Sequence, residues 1–388
     1  MSKVEELIEM LCPEGVEFKL LSEIAQIKRG ERVTKKDLLK EGLYPVMSGG
    51  IYPMGYLNSK NRDANTITIV SYGTAGYVDF QTVDFWANDV CLTVFPNNEL
   101  NNKFLYYVLK NMQSYLFKHT TKALPDHIPT EFILNLQIPI PPLEVQSEIV
   151  KILDDFTELT AELTAELTAR KQQYEYYRDE LLSLKQSDGQ VVRLNQIGTF
   201  ERGKRFVHAD AVEKGIPCIH YGELYTFYGP TATKHKSDIR EDIEKEKRLR
   251  YASKNDVVIV GAGENDEDIG IGVAWLGDYK IAVHDACYIF RHEQNPKYIS
   301  YCLRTSSYHQ QLKKYVSSGK ICAISSAGIG ESCIYLPSLE RQAEIVEKLD
   351  RFEKITNDLS NGLPAEIKAR QKQYEYYRDK LLSFKGKN

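Results

Sequence analysis

No apolar run in the 388-residue chain approaches the ~18 residues of a membrane-spanning helix. Its opening residues, MSKVEELIEMLCPEG, read as an acidic amphipathic helix and not as a secretory signal. The seven cysteines (12, 91, 218, 287, 302, 322 and 333) are odd in number, scattered and without a C-x-x-C pair. That excludes a disulfide framework or a zinc site as the organising feature and fits reduced thiols in a cytoplasm. The eight histidines lack HExxH or other ligand spacing, so no metal is expected.

Nucleotide and catalytic motifs are present only in fragments. VVIVGAGEND (257–266) has Gly261 and Gly263, but Asp266 stands where a dinucleotide loop needs its third glycine. SYGTAG (71–76) has no Lys-Ser/Thr pair behind it and cannot serve as a phosphate loop. Asn295-Pro296-Lys297-Tyr298 is similar to the tetrapeptide of amino-methyltransferases, but its lysine favours a helix start. Pro125-Asp126 lacks an acidic-x-Lys partner at nuclease spacing. With no complete constellation, no catalytic residue is assigned, and the chain reads as a binding protein.

What is there is a long duplication. ARKQQYEYYRDELLSLK (169–185) returns as ARQKQYEYYRDKLLSFK (369–385), identical at 13 of 17 positions. LEVQSEIVKILDDF (143–156) returns as LERQAEIVEKLDRF (339–352). Duplication at this period means two supersecondary units built alike. From Leu143 a stretch of roughly 42 residues contains no Gly or Pro, which predicts a continuous helix. Ile149, Leu153, Phe156, Leu163, Leu167, Tyr174, Tyr177, Leu181 and Leu184 follow three- and four-residue steps, interrupted by Thr160 and Arg170, as in a coiled-coil seam. The second copy carries Asn361-Gly362 and Pro364, so a break is expected there.

Between these helices lie segments rich in short strand patterns and turns. ITIVSYGTAGYVDF (67–80) and VCLTVF (90–95) lead to a helical pattern at 102–118. VVIVGAG (257–263), IGVAWLG (271–277) and IAVHDACYIF (281–290) lead to another at 298–316. Each segment closes on an extended proline-containing stretch, 137–142 and 334–337. In the N-terminal helix Val4, Leu7, Ile8 and Leu11 share one face, and Pro13-Glu14-Gly15 stops it. The fold class is α+β, with an N-terminal helix (1–17), a globular domain (18–142), a helical segment (143–186), a second globular domain (187–337) and a second helical segment (338–388).

Charge follows this division. Residues 18–142 carry 13 Lys+Arg against 11 Asp+Glu, and residues 191–337 carry 20 against 18, a net of +2 each. The remaining residues carry 17 against 25, a net of −8, which gives the chain its −4. Mildly basic globular segments on acidic helices permit a local nucleic-acid surface. The residues leave open a DNA-binding protein, a coiled-coil scaffold that binds only proteins, and an enzyme such as a methyltransferase, which the missing motifs argue against.

The two unlike globular segments, their proline-containing ends, the PLEVQSEIVKILDDF / SLERQAEIVEKLDRF pair and the Tyr-rich repeats resemble the specificity (S) subunit of type I restriction-modification systems. The Thr-Ala-Glu-Leu tetrads at 160–163 and 164–167 resemble the central spacer of one branch of that family. The resemblance implies two target recognition domains, each reading half of a bipartite DNA site, on two helices packed as an antiparallel coiled coil with pseudo-two-fold symmetry. It implies two methyltransferase (M) subunits docked on the frame and restriction/translocase (R) subunits beyond them. S-adenosylmethionine, ATP and Mg would belong to those partners, with none bound by this chain, in a bacterial or archaeal cytoplasm.

Donors and planar faces near turns nominate the DNA contacts. In the first domain these are Lys28, Arg29, Arg32, Ser48, Tyr52, Tyr56, Tyr72, Thr74, Lys122 and His127. In the second they are Arg202, Lys204, Arg205, Tyr221, Tyr225, Tyr228, Lys234 and Lys320. The matched openings IKRGERV (27–33) and FERGKRF (200–206) single out the Arg-Gly pairs. The outward subset of Tyr174, Tyr176, Tyr177, Arg178, Asp179, Tyr374, Tyr376, Tyr377, Arg378 and Asp379 is the candidate dock for partner subunits.

Overall fold

A computed structural model describes residues 3–121, 125–317, 319, 321–357 and 362–387. The chain divides into two compact units: residues 1–162 with 367–388, and residues 163–366. Each unit therefore takes one half of each helical segment, so the units cut across the linear order of the chain.

Unit 1 is built on an antiparallel sheet in the order Ala25–Arg29, Cys91–Pro96, Thr66–Val70, Val78–Gln81. The central strand Thr66–Val70 is buried on both faces, which its uninterrupted apolar and β-branched run allows. A turn with Gly73 (φ +95°) and Gly76 (φ +81°) joins it to Val78–Gln81. A smaller sheet pairs Tyr44–Met47 with Trp86–Ala87 in parallel. Unit 2 repeats the plan. Gly198–Arg202, Cys287–His292, Val257–Val260 and Gly272–Trp275 form the antiparallel sheet, extended by Thr231–Ala232. Ile216–Ile219 pairs in parallel with Ile281–Val283 in a second sheet.

The first and last strands of each globular segment close it. Glu17–Leu20 pairs antiparallel with Gln137–Ile140, and Gly189–Arg193 with Cys333–Pro337. The proline-containing stretches are edge strands, the position that a missing N–H tolerates.

The predicted helix 102–118 is two helices, Asn102–Asn111 and Gln113–Lys118, and that at 298–316 is Pro296–Cys302 followed by Ser306–Leu312. In the second case the Thr305 side chain accepts from the Tyr308 N–H and restarts the helix. Asn295 caps its helix by accepting from the Lys297 and Tyr298 N–H groups, which explains the Asn-Pro-Lys-Tyr tetrapeptide without cofactor chemistry. The run from Leu143 is one 39-residue helix, Leu143–Leu181. Its counterpart is two helices, Leu339–Asn357 and Leu363–Leu381, with Pro364 in the first turn of the second. Asn361 lies outside the described residues.

Each unit grips its helix ends with the same residues. In unit 1 the buried Gln146 accepts from the Asn101 N–H (2.7 Å) and donates to the carbonyls of Glu99 (2.9 Å) and Pro141 (2.7 Å). In unit 2 the buried Gln342 accepts from the Asn295 N–H (3.0 Å) and donates to the Pro337 carbonyl (3.0 Å) and Gln294 Oε1 (3.0 Å). Asp154 receives Lys103 Nζ (2.7 Å) and the Tyr107 hydroxyl (2.6 Å). Asp350 receives Lys297 Nζ (2.6 Å) and the Tyr301 hydroxyl (2.7 Å) in the same way. Phe156 stacks on Tyr377 at 5.5 Å between centroids, and Phe352 on Tyr177 at 5.5 Å. Of the proposed seam, Ile149 and Leu153 are buried in the core of unit 1 and Tyr174 in that of unit 2. Leu163 and Leu167 are only half-buried. In the N-terminal helix Val4 is buried and Leu7 and Ile8 pack on the core of unit 1, whereas Leu11, expected on that face, is exposed at the helix end. Lys3 pairs with Glu148 and Glu5 with Lys380, both at 2.7 Å.

Candidate nucleic-acid interface

The two Arg-Gly pairs occupy equivalent cradles. Arg29 ends the edge strand of unit 1 and its Nε donates to the Asp89 carbonyl at 2.6 Å. Arg202 does the same in unit 2, donating to the Asp285 carbonyl at 2.7 Å. The glycines are dictated by close approach: a Cβ on Gly30 or on Gly203 would lie 2.2 Å from the carbonyl oxygen of Asn88 or His284. Each arginine is thereby fixed at Nε while its guanidinium remains exposed.

Around the cradle of unit 1 the fold gathers several predicted residues. The Asn88 amide donates to Ser48 Oγ at 3.2 Å, and the Thr74 N–H donates to the Gly49 carbonyl at 2.8 Å. Tyr72 stacks on His127 (5.1 Å, 15° between planes), whose Nδ1 lies 2.5 Å from Thr121 Oγ1. Tyr52 stands at a loop tip, 82% exposed. Tyr56 is held in a short strand against Tyr44–Met47. Arg32 is exposed with no ion pair among the described residues, while Lys28 lies over the Phe95 ring at 5.1 Å. Lys122 and Lys320 lie outside the described residues.

In unit 2, Arg202, Arg205 and Tyr221 line a cleft of about 1120 Å³ together with His220 and His284. Lys204 is half-buried and bridges to the His284 backbone. Tyr225 and Tyr228 border a different cavity, of about 490 Å³, with Tyr174 and Arg178. Tyr228 corrects the expectation: it is a buried core residue whose hydroxyl accepts from the Lys236 N–H at 2.8 Å. Lys234 is exposed and lines neither cavity. The two histidines were not among the residues nominated from the sequence; HDAC (284–287) matches NDVC (88–91) behind the two Arg-Gly pairs, and that match could have pointed to His284.

The Tyr-rich repeats sort into inward and outward positions. Tyr174 is buried beneath Arg178, 5.7 Å from its ring, so it is a packing residue and not part of a free surface. Arg378 lies 5.8 Å from the Tyr374 ring in the same way. Arg178 and Arg378 also pair with Asp179 (2.8 Å) and Asp379 (2.7 Å). Tyr177 and Tyr377 are occupied by their phenylalanines, whereas Tyr176 and Tyr376 are 65% and 62% exposed.

This architecture is that of solved S subunits. The chain is similar to the S subunit of a type I restriction-modification system from M. genitalium, with a TM-score of 0.60, 18% identity and coverage of 95% of this chain and 96% of that one. It is equally similar to a chain from a structure on complex assembly and conformational transition of the type I R-M system, with a TM-score of 0.61, 14% identity and coverage of 95% and 97%.

The family model described as "Type I restriction modification DNA specificity domain" matches residues 13–170 and again 186–369. A type I restriction enzyme specificity subunit from Escherichia coli is 33% identical over 415 residues, covering 99% of this chain and 98% of that protein. The chain belongs to the family of type I restriction-modification specificity subunits. Its work is DNA specificity and not catalysis. Among the described residues, no helix is long and apolar enough to cross a membrane.

Proposed function

We propose that each globular segment, 18–142 and 187–337, is a target recognition domain reading one half of a split DNA site. The observation that carries this is the pair of matched Arg-Gly cradles surrounded by unlike loops. A shared backbone frame with different side chains is what two readers of different half-sites require. In this reading Arg29, Arg32, Tyr52, Tyr72 and His127 contact DNA in the first domain, and Arg202, Arg205 and Tyr221 in the second. Arginine forks suit guanine edges and phosphates, and exposed aromatic faces suit apolar contact in a groove.

The helices act as spacer and dock. Exposed Tyr176 and Tyr376, repeated on both helical segments, are the contact points for two M subunits, with R subunits joining beyond them. S-adenosylmethionine belongs to the M subunits and ATP with Mg to the R subunits, in the cytoplasm where the DNA is. Packing of the two helical segments as an antiparallel coiled coil makes the tetrads a ruler. One tetrad adds about 6 Å and about 40° of rotation to a helix, and one base pair adds about 3.4 Å and roughly 34–36°.

Two experiments test this. Pull-down of the tagged full chain from its native cytosol is expected to recover a methyltransferase subunit; recovery of unrelated proteins alone favours a scaffold. Inserting one Thr-Ala-Glu-Leu unit after Leu167 is expected to lengthen the gap of the methylated motif with both halves intact. An unchanged gap or an altered half would count against the ruler.

A further inference from the structure

The parallel strand pairs of the two units end at equivalent nodes. In unit 1, Met47 and Ala87 are register partners, followed by Ser48 and Asn88, and the Asn88 N–H donates to the Met47 carbonyl at 2.9 Å. In unit 2, Ile219 and Val283 are partners, followed by His220 and His284, and the His284 N–H donates to the Ile219 carbonyl at 3.2 Å. The backbone is the same and the chemistry differs.

In unit 1 the node is filled. Asn88 is 5% exposed, and its amide bonds to the Val33 N–H (3.0 Å), the Val33 carbonyl (3.3 Å) and Ser48 Oγ (3.2 Å). In unit 2 the node opens into the cleft of about 1120 Å³. His220 packs edge-on against the buried Phe206 (4.7 Å) and lies 5.2 Å from the His284 ring. Nδ1 of His284 accepts from the Ala286 N–H at 3.1 Å, so that ring is anchored. Neither ring nitrogen of His220 has a hydrogen-bonding partner among the described residues. Burial holds His220 below the usual histidine range, against an opposing pull from Glu223, so its imidazole is neutral at neutral pH. Arg205, exposed at the same cleft, has no ion pair among the described residues, and Arg202 stands beside it. The buried Glu223 carboxylate is already engaged by Ser237 Oγ and the His220 N–H.

We propose that this cleft is the base-reading site of unit 2, and that His220 presents its imidazole to a base edge of duplex DNA, a task with no counterpart at Ser48. A neutral imidazole can donate to a purine N7 or O6 from a ring N–H, with Arg202 and Arg205 supplying charge to the flanking phosphates or guanine. Unit 1 then reads with projecting loops such as that of Tyr52, and unit 2 with a concave site. This inference rests on the specificity reading above.

The test uses cells lacking their own copy of the gene, supplied with the full chain as wild type, His220→Ala, His220→Asn or the exchange His220→Ser with His284→Asn. The exchange installs the pair that already supports the same backbone in unit 1. Methylomes give the motif, and competition between duplexes, using the complex purified with its partner subunits, gives the preference at each base pair. His220→Ala is expected to loosen one base pair in one half of the split motif by about five- to a hundredfold. His220→Asn is expected to retain part of that preference, and the exchange to alter the same half only. An unchanged motif with unchanged preferences in all variants overturns the proposal. So does methylation that falls equally for every variant site, or an insoluble chain with both substitutions, since His220 is then a packing residue. If wild type restores no split motif at all, the specificity reading itself fails, and this inference with it.

Discussion

Replacing Gln146 by leucine removes the hydrogen-bond hub at one helix grip while nearly conserving volume. Three groups lose their partner: the Asn101 N–H and the carbonyls of Glu99 and Pro141. At a net value of about 1 kcal/mol for each buried hydrogen bond, unit 1 should lose about 3 kcal/mol. Gln342→Leu should remove a similar amount from unit 2, because Asn295, Gln294 and Pro337 are left in the same condition. A chain of two units need not unfold in one step, so a single melting temperature would mix the effects. Hydrogen exchange followed by mass spectrometry separates them. Opening around residues 99–105 and 137–150 should rise about a hundredfold in Gln146→Leu, with peptides of 257–303 unchanged. Gln342→Leu should give the converse pattern. Exchange that is unchanged in the expected unit, or raised equally in both, would refute the claim that these glutamines are local locks.

Four further outcomes follow from the same contacts. Burial pushes His292 down to about 4, with its Nε2 buried and without a hydrogen-bonding partner among the described residues, so the unfolded chain binds the proton first. Unit 2 should hold this contribution in full above the ordinary histidine value and lose about 3 kcal/mol of it as pH falls from ~6.5 to ~4; an acid titration of unfolding compared with His292→Gln measures it. Asp154→Asn should weaken the grip of Lys103 and Tyr107 by about 1 kcal/mol, because the ion pair is half-exposed; urea unfolding of the full chain checks this. Tyr176→Ala with Tyr376→Ala should leave stability within about 0.5 kcal/mol yet reduce co-purification of M subunits. Arg32→Ala and Arg205→Ala should each lower the slope of log affinity against log salt by about 0.9, read by DNA titrations at several salt concentrations.

Where pattern and neighbours in sequence decide structure, the sequence was readable. The 39-residue helix followed from its lack of Gly and Pro, and its divided counterpart from Pro364. The proline-containing segment ends became the closing edge strands. Two helical patterns are each divided in the structure, at Met112 and at Thr305, because the apolar spacing continues across both interruptions. The glutamine locks escaped because an apolar seam reading ignores polar residues, and because Gln146 finds Asn101 only after the fold brings them together. Their trace was nevertheless present: Asn101, Lys103 and Tyr107 recur at Asn295, Lys297 and Tyr301, always 194 residues on. The matched Arg-Gly pairs are visible from local identity, and close packing explains their glycines, Gly30 and Gly203. His220 carries no local signal, since the cleft it lines is created by non-local strands, and the burial of Tyr228 cannot be told from its turn-rich segment.

The methylome of the native cell, with the gene intact, deleted, and restored as the full chain, tests the DNA-specificity role most directly. Two matched reading units on one chain predict that a single split motif loses adenine methylation on deletion and regains it on restoration, with both halves returning together. A methylome that is the same in all three cells would contradict a DNA-specificity role for this chain.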